Sequence, residues 1–419
     1  MFQELTRNHW LLHVASNAFL LGASTCGLSI STSVLARSPY NCRSAAEVRV
    51  PVDIVSNLPI MTGRVNGSKS LNVILDTGAA LTVVSPEVAV RAGLKSDTSV
   101  AASGFGQGSD QTLRLVNSAA LTWGPKNAGL RPSSERIAVL PIDYIGAQIG
   151  HPVDALFGSN VFQHFRVTLD YARRKVSFAP FGEPCKPDAV AIPIDTAGNV
   201  PIVEAAIAGS DGSLVIAKFV VDIGTTGAAI ISKRFLDQHP ELLAGYALVV
   251  APPFSAVGGN ISSKLARLST LRIGDFNLHG PVAVIPDQPT GILASPDIAG
   301  LLGGEILNRF TVTWDYRSQR MWLVPNSRLN TPFEADASGL HLVAKEKALA
   351  RVYVDAIVPG SPAAHAGVRV GDRIISINNR PRPLWEMMRD LTVAGSTVTL
   401  SIERNGTLLR LPVALKRLV

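Results

Sequence analysis

The chain has 419 residues, 47% of them hydrophobic and 17% charged, which excludes disorder over most of its length and excludes a multispan membrane protein. At about 150 residues per domain it holds two to three cores. The net charge of +7 is uneven: residues 37–335 carry 26 basic and 24 acidic groups, and residues 336–419 carry 12 and 7. The longest basic run, Arg173-Arg174-Lys175, has no aromatic residues interleaved, so no nucleic-acid partner is expected. Generous Gly and Pro between short aliphatic runs point to a β-rich chain.

In chain order, the first element is a leader. No residue between Arg7 and Arg37 is formally charged, and the stretch passes through Phe19-Leu20-Leu21 to end at Val34-Leu35-Ala36. A basic start, an apolar middle and small residues before a cut predict a signal peptide over residues 1–36. His13, Ser16, Asn17, Ser24 and Thr25 make the same stretch a poor membrane span, so membrane attachment follows only if the leader is uncleaved. Cleavage removes Cys26 and leaves Cys42 and Cys185, an even pair that is compatible with one disulfide in an exported protein.

Next comes an internal repeat. Residues 153–178 align without a gap on residues 298–323, with identities at Leu156/Leu301, Gly158/Gly303, Phe165/Phe310, Val167/Val312, Thr168/Thr313, Asp170/Asp315 and Tyr171/Tyr316. Upstream, Ile74-Leu75-Asp76-Thr77-Gly78 pairs with Val220-Val221-Asp222-Ile223-Gly224, and Leu58-Pro59-Ile60 with Val200-Pro201-Ile202. Two such units are too few for a solenoid. Two related β lobes facing each other across a cleft are the natural solution.

Each copy delivers an aspartate from a strand onto a glycine turn, which lets backbone approach closely and leaves the carboxylate at a sheet's end. One Asp-Thr-Gly triplet arises by accident in about one chain in ten of this length. Two Asp-x-Gly turns, each followed at the same distance by an apolar–apolar–Gly segment, are far more specific. The pattern resembles the aspartic proteases of the pepsin and retropepsin clan over roughly residues 50–325. The resemblance implies a mainly β fold of two tandem pseudo-symmetric lobes, 45–185 and 186–326. Asp76, Thr77 and Gly78 match the family's first turn, with Leu156-Phe157-Gly158 beneath; Asp222 and Gly224 match the second, with Leu301-Leu302-Gly303 beneath.

Carboxylates about 3 Å apart cannot both ionise cheaply, so Asp76 and Asp222 are expected to share a proton and act as base and acid on a water and a peptide carbonyl. No metal or cofactor is needed, and the eight His residues show no metal-ligand spacing. Ile223 departs from the family, which carries Thr or Ser there and uses its hydroxyl to tie the two turns. Thr225 is expected to hydrogen-bond Asp222, favouring its ionised form and leaving Asp76 the more readily protonated partner. The resemblance also places a substrate-covering flap at Gly104, Phe105 and Gly106, with a second-lobe counterpart at Ala256-Val257-Gly258-Gly259.

The last unit, 336–419, follows a turn-rich linker. Val358-Pro359-Gly360-Ser361-Pro362-Ala363, Gly371-Asp372 and a helix near Leu384–Leu391 resemble the PDZ domains (α+β) of bacterial periplasmic proteases. That implies a loop at Gly339, Leu340, His341 and Leu342 whose amides capture a peptide carboxylate, with His341 toward solvent and the peptide added as a strand. The basic excess of this unit suggests acidic peptides. The expectation is a bacterial, periplasmic or secreted monomeric endopeptidase acting on peptides or proteins, with a PDZ domain that binds peptide segments or C-termini and recruits or gates substrate. Two other readings stay open: a protease whose Asp76 pairs with Asp76 of a second chain, and a non-catalytic peptide-binding adaptor on a degenerate protease scaffold.

Overall fold

The computed structural model describes residues 47–96, 98–102, 111–124, 133–182, 188–256, 259–288 and 291–419. The expected leader, Cys42, Cys185, the flap residues Gly104, Phe105 and Gly106, and Val257-Gly258 lie outside them.

Strand Val48–Val55 alternates buried and exposed residues, the pattern of a strand with one face on a core. Ser56 and Asn57 both adopt positive φ (47° and 69°), the two-residue hairpin geometry that returns the chain as Leu58–Val65. Leu71–Leu75 is apolar and almost wholly buried because neighbours flank it and packing covers both faces. It runs parallel to Ala155–Phe157, which in turn pairs antiparallel with Thr82–Val84. The second lobe repeats this knot: Leu214–Val221 is parallel to Gly300–Leu302, which pairs antiparallel with Ala229–Ile231.

The lobes join through an antiparallel seam between Arg166–Asp170 and Phe310–Asp315, where Thr168 sits opposite Thr313 and their hydroxyls are 2.9 Å apart. A continuous apolar core runs through both lobes, from Val48 to Phe333. Outside it, each lobe has a smaller apolar cluster built from equivalent residues: Leu58, Ile60, Ile74 and Leu156 in the first, Val200, Ile202, Val220 and Leu301 in the second. The second is capped by Ile292 and Leu293 of the single-turn helix Gly291–Ala294; the first is capped by the helix Asp143–Ile149.

The C-terminal unit is a five-stranded antiparallel sheet with its own core. Leu340–Lys345 forms one edge, and Asn405-Gly406, both at positive φ, closes the last hairpin between Arg404 and Thr407. Helix Leu384–Asp390 lies near the edge strand. The linker before this unit is held by the Arg309 guanidinium, which donates to the carbonyls of Arg328 and Leu329 (3.0 and 3.1 Å) and stacks 3.5 Å over the Phe333 ring.

Glu305 sits against this clamp. Burial pushes its carboxyl up to about 7, only partly opposed by the Arg309 charge. A carboxyl whose folded value is raised contributes stability below its unfolded value and loses it as pH rises through 7. Glu305→Gln is therefore expected to match the parent near pH 4 and to exceed it by about 3 kcal/mol at pH 8. Urea unfolding at the two pH values measures the difference; an equal difference at both would contradict the assignment.

Candidate active site

Two backbone bonds bring each aspartate to an equivalent place. The Asp76 amide donates to the Phe157 carbonyl (3.0 Å) and the Asp222 amide to the Leu302 carbonyl (2.9 Å), so each turn hangs on its own apolar–apolar–Gly strand. Gly158 and Gly303 are packed too tightly for a side chain: a Cβ on Gly158 would fall 2.7 Å from the Ala79 carbonyl oxygen, and one on Gly303 would fall 2.8 Å from Thr225 Cγ2. The two turns then interleave. A Cβ on Gly78 would lie 2.5 Å from Asp222 Cγ, and one on Gly224 would strike the Asp76 carboxyl, so each glycine makes room for the opposite aspartate.

The carboxyls are set against each other by the interleaved turns, and their supports differ. Asp76 Oδ1 accepts from the amides of Gly78 (2.9 Å) and Ala79 (3.1 Å). Asp222 Oδ1 accepts from the Gly224 amide (2.7 Å) and its Oδ2 from the Thr225 hydroxyl (2.7 Å). Burial raises both carboxyls. The Asp222 charge raises Asp76 further, whereas the Thr225 hydroxyl and the Gly224 amide hold Asp222 down. Asp76 is thus held higher than Asp222, by burial and by its partner's charge.

Thr77 ties its turn to the second one. Its buried hydroxyl donates to the Val221 carbonyl (2.7 Å) and accepts from the Ile223 amide (3.1 Å). Ile223, at the equivalent place, has no hydroxyl to return; its side chain is fully buried in the core.

Several residues join this site that the motif reading passed over. Ser159 Oγ donates to the Thr77 carbonyl (3.0 Å) and lies 3.2 Å from the Tyr316 hydroxyl, bracing the first turn with a residue from the turn after Phe310–Asp315. The repeat mate of Tyr316, Tyr171, is buried, and its hydroxyl has no hydrogen-bond partner among the described residues; burial and then the Asp222 charge push it up. Asn308 Nδ2 donates to Asn57 Oδ1 (2.6 Å) and Gln163 Nε2 to Asn199 Oδ1 (2.8 Å), the same crossing bond made once in each direction. Only the identity Tyr171/Tyr316 signalled any of these in the sequence. Tyr144, on helix Asp143–Ile149, has its phenol pushed up by burial and by the nearby Asp76 charge.

The expected peptide loop of the C-terminal unit holds its own acceptors. The Gly339 amide donates to Asp336 Oδ2 (2.5 Å) and the Leu340 amide to Ser338 Oγ (3.1 Å). His341 does not face solvent: its side chain is 21% exposed, with Nδ1 3.4 Å from Asp355, and burial lowers its basicity. A register shift in the edge strand falls between His341 and Leu342. Leu342 is buried in the unit's core.

Residues 61–161 match the family described as aspartyl protease, and residues 353–404 match the one described as PDZ domain. The chain therefore carries an aspartyl protease-like fold, whose matched segment includes the Asp76 turn and its supporting strand, and a C-terminal PDZ domain. Its structure is similar to that of the aspartic proteinase from Irpex lacteus, with a TM-score of 0.43 and 16% identity over 69% of this chain and 100% of that one. No curated protein matches the sequence.

Proposed function

We propose that the protein is an exported aspartic endopeptidase that hydrolyses peptide bonds with a water activated between Asp76 and Asp222. The observation that carries this reading is the interleaving of the two turns, which sets two buried carboxyls against each other within one chain on unequal supports. Ionised Asp222 takes a proton from the water as its oxygen attacks the peptide carbonyl carbon, and protonated Asp76 donates to the carbonyl oxygen, giving a tetrahedral diol. On collapse Asp222 passes its proton to the leaving nitrogen and Asp76 recovers its own. An Asp76 already engaged with Asp222 in its own chain supports this reading over pairing between two chains. The PDZ domain supplies a place for peptide segments, acidic ones by its charge, and the leader supports export to a bacterial periplasm or beyond.

The test is cleavage of an unfolded protein by purified residues 37–419 from acid to neutral pH, with peptide bonds mapped by mass spectrometry. Absence of cleavage at every pH would refute the reading. Within it, Thr225→Val removes the hydroxyl that favours ionised Asp222, so the acid limb of kcat/KM is expected to move up by about 1–2 pH units while the upper limb stays.

A further inference from the structure

Helix Asp143–Ile149 belongs to the protease domain, yet it packs along Leu340–Lys345, the edge strand of the PDZ sheet on which a peptide would be added. Its glycines permit the approach. A Cβ on Gly146 would lie 3.3 Å from the Leu349 side chain, in the turn after that strand, and one on Gly150 would lie 2.5 Å from Leu384 Cβ, at the start of the PDZ helix. The helix and its C-terminal turn thus touch the strand, the turn beyond it and the helix that together frame the peptide groove. The groove's loop is satisfied from within as well, by Asp336 and Ser338.

The same helix reaches the carboxyls. Ile142, Ile145 and Ile149 close the apolar cluster that contains Ile74, two residues before Asp76, and Leu156 of the strand beneath it. Trp385 of the PDZ helix packs into that cluster. The second lobe closes its equivalent cluster with its own single turn, Gly291–Ala294, and with no PDZ residue among those packed there. Tyr144 stands on the helix beside Asp76.

We propose that helix Asp143–Ile149 is the resident occupant of the PDZ groove, and that a peptide entering the groove must displace it, altering the packing behind Asp76. This rests on the peptidase reading only for its effect on cleavage; the competition itself does not. Two substitutions loosen the helix from the PDZ side without touching the carboxyls: Trp385→Ala and Leu349→Asp, each at a half-buried side chain, and far-UV circular dichroism confirms that both variants fold.

The parent and both variants are compared in an Asp76→Asn background on an immobilised array of heptapeptides, free C-termini and internal segments both represented. The tightest-binding array peptide is expected to bind each variant at least about tenfold more tightly than the parent, by the ratio a lost competitor sets. Amides of residues 143–149 should exchange faster in both variants, and in the parent once that peptide is added. Equal affinity for all three proteins, binding to none of them, or tight binding to the parent with unchanged exchange at 143–149 would each overturn the proposal. Cleavage by the Asp76-containing chain is read separately: an inactive chain that shows the competition sinks the peptidase reading alone, and an active chain without it sinks only the competition.

Discussion

Asp76→Asn and Asp222→Asn are each expected to lower kcat for peptide cleavage by about 10²–10⁴-fold, because either change leaves the pair without its acid or its base. KM should move little, since neither carboxyl provides most of the contact with substrate. The parent should show a bell-shaped profile: activity falls in acid as Asp222 takes a second proton, and falls again as pH rises through the value of Asp76, which burial and the Asp222 charge hold well above the ordinary carboxylate range. Stability supplies an independent check. Since the folded value of Asp76 is raised, the parent loses stability as pH rises through it, and Asp76→Asn escapes that loss. The variant should therefore melt higher than the parent at neutral pH and close to it in acid. A variant that is inactive and less stable at every pH would mean that Asp76 is only structural.

Gly224→Ala and Gly78→Ala are expected to be nearly as damaging, for a different reason. Neither glycine has positive φ, so no backbone strain is at issue; the methyl has nowhere to go except the opposite carboxyl. Relief requires the turns to part, which draws the carboxyls away from each other and costs about 1–3 kcal/mol of overpacking. Activity should fall by at least about 100-fold, with the two titration steps drawn together as the carboxyls separate. NMR titration of the carboxyl carbons in Gly78→Ala reads the coupling directly; unchanged, widely split titrations would show that the turns do not interleave.

The repeat made the lobes and both aspartate turns legible, because strand period and Asp-x-Gly survive in both copies. Thr225 was readable by its distance from Asp222. The crossing pairs Asn57–Asn308 and Gln163–Asn199 were not, since lone amides in turns carry no period and gain meaning only when the lobes meet. Helix Asp143–Ile149 was missed for a related reason: it is seven residues long, and Gly146 within it and Gly150 just after it read as a loop until their contacts with Leu349 and Leu384 are known. His341 was read as facing solvent, and its side chain is instead largely buried beside Asp355, a contact that no local pattern announces.

At the seam between the lobes, Thr168 touches Thr313, the residue that answers to it in the other copy. A position that meets its own counterpart lies on a two-fold axis, which is how identical subunits greet one another. A gene encoding one such lobe would yield a protein able to pair with its twin along this strand, and joining two copies end to end would preserve that handshake while letting each half accumulate changes alone. Ile223 shows what that freedom allows: in a symmetric dimer one substitution would remove both hydroxyls, whereas in this chain Thr77 keeps its bonds beside an isoleucine.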